Sequence, residues 1–308
     1  MDKKALLMKI LLLGVNGQIG WELQNSLASL GQLKSCDRDM ADLEDLDSLR
    51  NIIRDYKSNI IVNAAAYTAV DSAESEKNKA YRINHKAVKF LAEESKYLNA
   101  WLIHYSSDYV FDGKKIGPYT EIDAPNPLSV YGMSKWKGEQ SVIKSGCKYI
   151  IFRTSWVYSS RGKNFVKTML RLYKEQKSLK VVDDQIGSPI SAELIANISA
   201  MCLYRVFYDT NFNKNKSGIY HLASAGKTSW HGLAKYIFEK SKSFEDAFII
   251  DAKNIFPISA SEYSLPAKRP YNSLLKTQKI YNTFGIFMPH WKIALNRLLQ
   301  ELYLHKES

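Results

Sequence analysis

Tyr131 and Lys135 stand four residues apart in the stretch SVYGMSKWKGE, residues 129–139. Positions i and i+4 share one face of a helix. An ammonium placed there favours the phenolate, so this spacing predicts a Tyr131 pKa below the usual ~10 for tyrosine. Such a tyrosine could serve as a general acid near neutral pH. The same spacing recurs at Tyr173/Lys177 and Tyr236/Lys240. The pair therefore gains meaning only from its surroundings. Upstream, AWLIHYSSDYVF (100–111) reads as a strand in which Ser106, Ser107 and Asp108 fall late. Open parallel sheets bind ligands at the carboxyl ends of their strands. Ser107 could polarise a carbonyl there, Tyr131 could protonate its oxygen, and Lys135 could hold the ribose hydroxyls of a nicotinamide coenzyme. The reaction would then be hydride transfer to the carbonyl carbon.

A second constellation lies near the start. GVNGQIG sets Gly14, Gly17 and Gly20 directly after the apolar run KILLLG (9–14) and ahead of a helical stretch. Glycine lets backbone approach a pyrophosphate, and a helix N-terminus offers it free N–H groups and partial positive charge. The spacing is Gly-x-x-Gly-x-x-Gly and not the common Gly-x-Gly-x-x-Gly. About 20 residues on, where an acid would accept hydrogen bonds from the adenine ribose, stands Asp37. Its neighbour Arg38 could pair with a 2′-phosphate. Asp37 favours NADH and Arg38 favours NADPH, so the choice stays open. In NAAAYTAVD (63–71), Ala64, Ala65 and Ala66 would let a coenzyme lie close to the chain.

These residues need a scaffold. Apolar strand-like runs alternate with amphipathic stretches. Strands are expected at 9–14, 33–37, 59–66, 100–111 and 148–159, and helices at 19–31, 45–56, about 73–98 and 131–145, with Asp45 as an N-cap. This alternation predicts an α/β fold, a Rossmann-type doubly wound parallel sheet. Beyond it the pattern loosens, with helices near 164–177, 191–208, 229–242 and 290–304 and strands near 179–183 and 218–223. The reading is an NAD(P)-binding domain over 1–155, residues 1–7 being an extension. A smaller mixed α/β substrate domain follows over 156–308, some of whose elements can return to the first.

Composition narrows the classes. The chain has 308 residues, 45% hydrophobic and 24% charged, with a formal net charge of +12. The basic residues are dispersed and carry no nucleic-acid motif, so anionic small ligands or a solvated surface account for the charge. No apolar run reaches the ~20 residues of a membrane span. The start resembles a signal peptide, but Lys9 interrupts the run and no cleavage site follows. Cys36, Cys147 and Cys202 are scattered, as are the six histidines, which argues for reduced thiols in a cytoplasm and no metal site.

The order GVNGQIG, NAAAYTAVD, YSSDYVF, YGMSK resembles the extended short-chain dehydrogenase/reductases. GQIGWEL, VNAAAYTAVDSAESE, PLSVYGMSKWKGE, FRTSWVYS, NFVKTMLRL, DDQIGSPISAEL, GIYHLA and PAKRPYNSLL narrow the resemblance to the dTDP-4-dehydrorhamnose reductase family, from Met8 to about Leu302. That resemblance implies reduction of a dTDP-sugar by NADPH or NADH. It implies Ser107, Tyr131 and Lys135 as the catalytic set, Ser107 standing where threonine is more usual. It implies Gly17, Gln18, Ile19, Asp37, Asp42, Leu43 and Ala64–Ala66 as coenzyme contacts. Thr68, Asp108 and Trp156 are implied as substrate contacts, with Tyr67 standing where a histidine-like residue is usual. Arg269, in KRPYN, could pair with the sugar-nucleotide diphosphate. The resemblance is compatible with a homodimer and leaves open whether Mg²⁺ bridges subunits, as in some relatives. Other readings are a reductase or epimerase acting on another nucleotide sugar, or a non-catalytic nucleotide-binding regulatory subunit.

Overall fold

The computed structural model describes residues 8–209, 216–244 and 247–304; the expected extension at 1–7 lies outside them. The strands are β1 (Lys9–Leu13), β2 (Gln32–Cys36), β3 (Ile60–Asn63), β4 (Trp101–Ser107), β5 (Lys148–Thr154), β6 (Val157–Tyr158), β7 (Leu179–Val182), β8 (Ile186–Gly187), β9 (Ile190–Ser191), β10 (Gly218–His221), β11 (Thr228–Ser229) and β12 (Ile255–Ile258). The α-helices are α1 (Gln18–Ala28), α2 (Leu46–Tyr56), α3 (Lys77–Tyr81), α4 (Val88–Tyr97), α5 (Val130–Ser145), α6 (Phe165–Glu175), α7 (Ala192–Tyr208), α8 (Trp230–Ser241), α9 (Gln278–Phe284) and α10 (Trp291–Leu304).

Six parallel strands form the main sheet in the order β10-β5-β4-β3-β1-β2. Successive side chains of a strand point to opposite faces, and β1 is apolar and buried after Lys9. Ile10 and Leu12 join Leu23 and Leu27 of α1 and Ile195 and Ile198 of α7 in one core. Leu11 and Leu13 join Leu49 and Ile53 of α2 and Phe90 and Leu91 of α4 in another. Burial on both faces explains why the strands read as continuous apolar runs. A third core, around Tyr173, Phe238 and Trp291, is built only from residues after Thr154.

One later element returns to the main sheet, and one helix departs from the sequence reading. The strand expected at 218–223 is β10, and it pairs with β5 at the edge of the main sheet. With α7 packed against α1, residues after 155 thus complete the first core as well as building the third. The long helix expected at 73–98 is interrupted by a π-helical segment, Arg82–Ala87. There the buried Asn84 turns inward. Its amide donates to the Tyr67 carbonyl (2.9 Å) and to Ser134 Oγ (3.0 Å), and its oxygen accepts from the Tyr67 N–H (2.9 Å). A π segment often marks a functional site, and this one braces the loop after β3 against α5.

Candidate active site

The strand order reverses between β1 and β3, and the crevice opens at their carboxyl ends, as such sheets dictate. Gly14 follows β1 at φ +82°, and a Cβ on it would lie 2.6 Å from the backbone N of Ala65, just past β3. A Cβ on Gly20 would lie 2.1 Å from the Gly14 carbonyl oxygen. Both glycines are thus demanded by the protein's own packing. Gly17 differs. Its added Cβ would meet only the Gly14 oxygen, at 3.3 Å, and it begins α1 without a side-chain cap. The uncapped first turn borders the cleft, as an anion-binding helix N-terminus does.

The cleft has a volume of about 500 Å³. Of the residues singled out from sequence, Gly14, Gly17, Gln18, Ile19, Arg38, Asp42, Leu43, Ala64, Ala65, Ala66, Thr68, Ser107, Asp108, Tyr131, Lys135 and Trp156 line it. Gly20, Asp37 and Arg269 are not among its lining residues. Asp37 turns its carboxylate to the Met40 N–H at 3.0 Å, which leaves Arg38 as the charged side chain of that pair facing the cleft. Arg38 pairs with Asp42 (3.4 Å) and Glu44 (3.2 Å). Arg269 forks onto Asp71, at 3.0 and 2.7 Å, and also reaches the Ala267 carbonyl. Asn63, Ile83, Tyr105, Tyr109, Thr154 and Ser155 line the cleft as well. Ile83 apart, which lies in the expected helix at 73–98, their only signal in the sequence was a place late in an expected strand.

The two strands expected to run to 111 and 159 stop early, and each stop shapes the site. β4 ends at Ser107, whose Oγ accepts from the Tyr109 N–H (3.1 Å) and starts a 3₁₀ turn over Asp108–Val110. The Ser107 hydroxyl donates to Asp108 Oδ1 at 2.9 Å. β5 ends at Thr154, and Trp156 follows at φ +50°, breaking the extended run.

Helix α5 starts where its sequence directs. Ser129 Oγ caps it by accepting from the Gly132 N–H (3.2 Å), and Gly146, at φ +72°, closes it. Tyr131 and Lys135 thereby sit in the first two turns. Tyr131 packs edge-on to Tyr109 with ring centroids 5.6 Å apart. Lys135 is buried and its Nζ donates to the Tyr105 carbonyl at 2.5 Å. The other two pairs serve packing. Tyr173 OH is buried and donates to the Ala234 carbonyl. Tyr236 OH donates to Asn296, and Lys240 Nζ lies over the Tyr236 ring.

The expected lowering of the Tyr131 pKa is not what the structure gives. Burial pushes the phenol up to about 12, partly offset by a hydrogen bond with Ser107. Lys135 is itself depressed to about 8, because burial disfavours its charge more than Glu139 restores it. Tyr131 therefore holds its proton throughout the neutral range. Asp108 is raised to about 6 by burial, against hydrogen bonds from Ser273 and Ser107. The pH dependence of kcat/KM reports groups of the free enzyme. The Lys135 cation is lost as pH rises through about 8, so kcat/KM is expected to fall on that alkaline limb. Lys135→Arg should move the limb upward while weakening catalysis, since a guanidinium stays charged. An alkaline limb that Lys135→Arg leaves in place would separate Lys135 from the titration.

The residues present suit a nicotinamide dinucleotide. Besides the α1 N-terminus, Ser106 Oγ and Thr154 Oγ1 lie buried in the cleft wall without a hydrogen-bond partner in the protein. Polar atoms left so are costly unless a ligand satisfies them. Among the described residues, no group of three or more His, Cys, Asp or Glu side chains is gathered to hold a metal ion.

Residues 8–304 match the model of the RmlD substrate binding domain. A dTDP-4-dehydrorhamnose reductase of Burkholderia thailandensis is 45% identical over 295 residues, spanning 96% of this chain and 99% of its own length. The chain belongs to the dTDP-4-dehydrorhamnose reductase family. An Escherichia coli member is 42% identical over 300 residues, covering 96% and 98% of the two chains. A family member from Bacillus anthracis, solved in complex with NADP, superposes with a TM-score of 0.86 at 33% identity and covers 96% of this chain and 100% of its own.

Proposed function

We propose that this chain is an NAD(P)H-dependent oxidoreductase that reduces dTDP-4-dehydro-6-deoxy-L-mannose to dTDP-L-rhamnose, the last step of dTDP-rhamnose biosynthesis for polysaccharides. The observation that carries the reading is the meeting of Ser107, Tyr131 and Lys135 with the uncapped α1 N-terminus in one cleft. When bound, the reduced nicotinamide supplies a hydride to the sugar C4. Tyr131, protonated at neutral pH, gives its proton to the developing alkoxide. Ser107 Oγ hydrogen-bonds that oxygen and steadies it. Lys135, held by the Tyr105 carbonyl, offers a cation beside the phenolate that proton transfer leaves. Ala64–Ala66 leave room for the coenzyme close to the backbone. Thr68, Asp108 and Trp156 form the sugar-nucleotide side of the cleft.

The direct test is turnover of dTDP-4-dehydrorhamnose followed by NADPH or NADH absorbance. Coenzyme binding without turnover of this sugar would overturn the substrate assignment. An epimerase would instead retain its coenzyme through each cycle.

Both coenzymes should be used. Arg38 lines the cleft and Asp37 does not, so Arg38→Ala is expected to shift the kcat/KM ratio toward NADH by about three- to tenfold, screening limiting so exposed a charge. Asp37→Ala should give a smaller shift toward NADPH. An unchanged ratio in both variants would place the adenine ribose elsewhere. The family resemblance is compatible with a homodimer, which sedimentation of the purified chain tests.

A further inference from the structure

Trp156 is a bulky residue in the left-handed region, a conformation that persists only when its surroundings hold it. Three contacts do so. Its carbonyl accepts from the Ile190 N–H at 3.3 Å. Its indole stacks on Trp230, with ring centroids 3.5 Å apart and planes 9° from parallel. Behind Trp230, Phe165 packs at 4.7 Å. The third contact is with Gly187: a Cβ there would lie 2.5 Å from the Trp156 ring. No side chain fits at residue 187 while the indole stays where it is.

These supports form one unit. Gly187, in β8, pairs antiparallel with Thr228 of β11, and Trp230 opens α8 two residues later. Ser229, between them, caps α8 through the Gly232 N–H at 2.8 Å. A short ribbon and a capped helix start therefore carry both sides of a slot. The slot belongs to the third core, whereas Trp156 follows β5 and lines the cleft.

We propose that Trp230 and Gly187 are positioning residues that hold the Trp156 indole as a fixed wall of the sugar-nucleotide side of the cleft. The proposal rests on the reductase reading above. Neither residue lines the cleft, so both act through Trp156. The expected coenzyme contacts lie at the start of α1, in the turns after β1, β2 and β3, and on α5, outside this unit. Disturbing the slot should therefore weaken the sugar nucleotide alone.

The test uses Trp230→Leu, Gly187→Ala and Trp230→Phe in the full chain. Trp230→Leu and Gly187→Ala should each raise KM for dTDP-4-dehydrorhamnose about tenfold, with KM for coenzyme little changed. Trp230→Phe keeps a stacking face and should recover most of the loss. A stacked tryptophan pair also gives an exciton couplet in far-ultraviolet circular dichroism. It should be present in the wild type, absent in Trp230→Leu and altered in Gly187→Ala. Gly187→Ala leaves Trp230 untouched, so it carries the test should Trp230→Leu fail to fold. Loss of the couplet with wild-type KM for the sugar nucleotide would overturn the proposal. So would an equal rise in both KM values, which would mark the slot as general scaffolding. If the wild type fails to reduce this sugar nucleotide, the reductase reading fails. The couplet, and its response to added dTDP, then decide on the slot alone: no response overturns it.

Discussion

Tyr131→Phe is expected to lower turnover roughly 10²–10⁴-fold, the usual contribution of general acid–base catalysis. Phe preserves the ring packed edge-on against Tyr109, and the variant should fold normally. Coenzyme affinity should change little, because the α1 N-terminus and Lys135 remain. The high phenol pKa strengthens the expectation. With burial pushing it to about 12, the proton is present at every working pH, and nothing else in the Ser107–Tyr131–Lys135 set replaces it. Tyr173→Phe and Tyr236→Phe are the controls. Tyr173→Phe removes the side-chain donor to the Ala234 carbonyl in α8, so it should cost about 0.5–1.5 kcal/mol of stability, the net worth of one hydrogen bond, and little turnover. Tyr236→Phe should cost less still, its partner being a half-buried side chain. Equal losses of turnover at all three positions would mean that Tyr131, too, is a structural tyrosine.

The second large effect is expected at Arg269. Its guanidinium is mostly buried and holds Asp71 in a forked pair, which keeps the Asp71 carboxyl below the usual carboxylate range. Tyr109, on the cleft wall, also hydrogen-bonds Arg269. We predict that Arg269→Ala raises KM for the dTDP-sugar about 10- to 150-fold, the equivalent of one charge-assisted hydrogen bond. The effect on coenzyme KM should be much smaller. Because Asp71 engages Arg269, the single variant cannot separate a phosphate contact from a loop tie. Asp71→Asn can. If Arg269 serves the diphosphate, removing its competitor should leave KM unchanged or lower it. A matching rise in Asp71→Asn, with no further rise in the double variant, would take Arg269 out of the substrate site. High salt should shrink a diphosphate effect that is partly exposed to solvent.

Much of this protein is legible in its sequence because the deciding interactions are local. Alternating runs place β1 to β5, since side-chain period and burial act within a few residues. Asp45 caps α2 through the Ser48 N–H, as read. The Gly14 turn, the Ala64–Ala66 stretch and the Tyr131/Lys135 face follow from one turn of backbone each. The family, the parallel α/β fold and the reduction of a nucleotide sugar are reached from these pieces in register.

What the sequence leaves open depends on residues far apart in the chain. Spacing alone does not distinguish the Tyr173 and Tyr236 pairs from Tyr131; the order of elements around Tyr131 points to it, and the position of each helix relative to the sheet decides. Arg269 and Asp71 meet across 198 positions, so a charge read as a free phosphate ligand is already engaged. β10 carries the same short apolar signal whether it edges the main sheet or a second one. The early ends of β4 and β5 arise from the Ser107 turn and from the left-handed Trp156, which a stack with Trp230, 74 positions further on, helps to hold. The Tyr131 and Lys135 pKa values are likewise tertiary quantities. Spacing says that a cation can stand near a phenol, but the depth at which the packed helices bury both decides which protonation state survives.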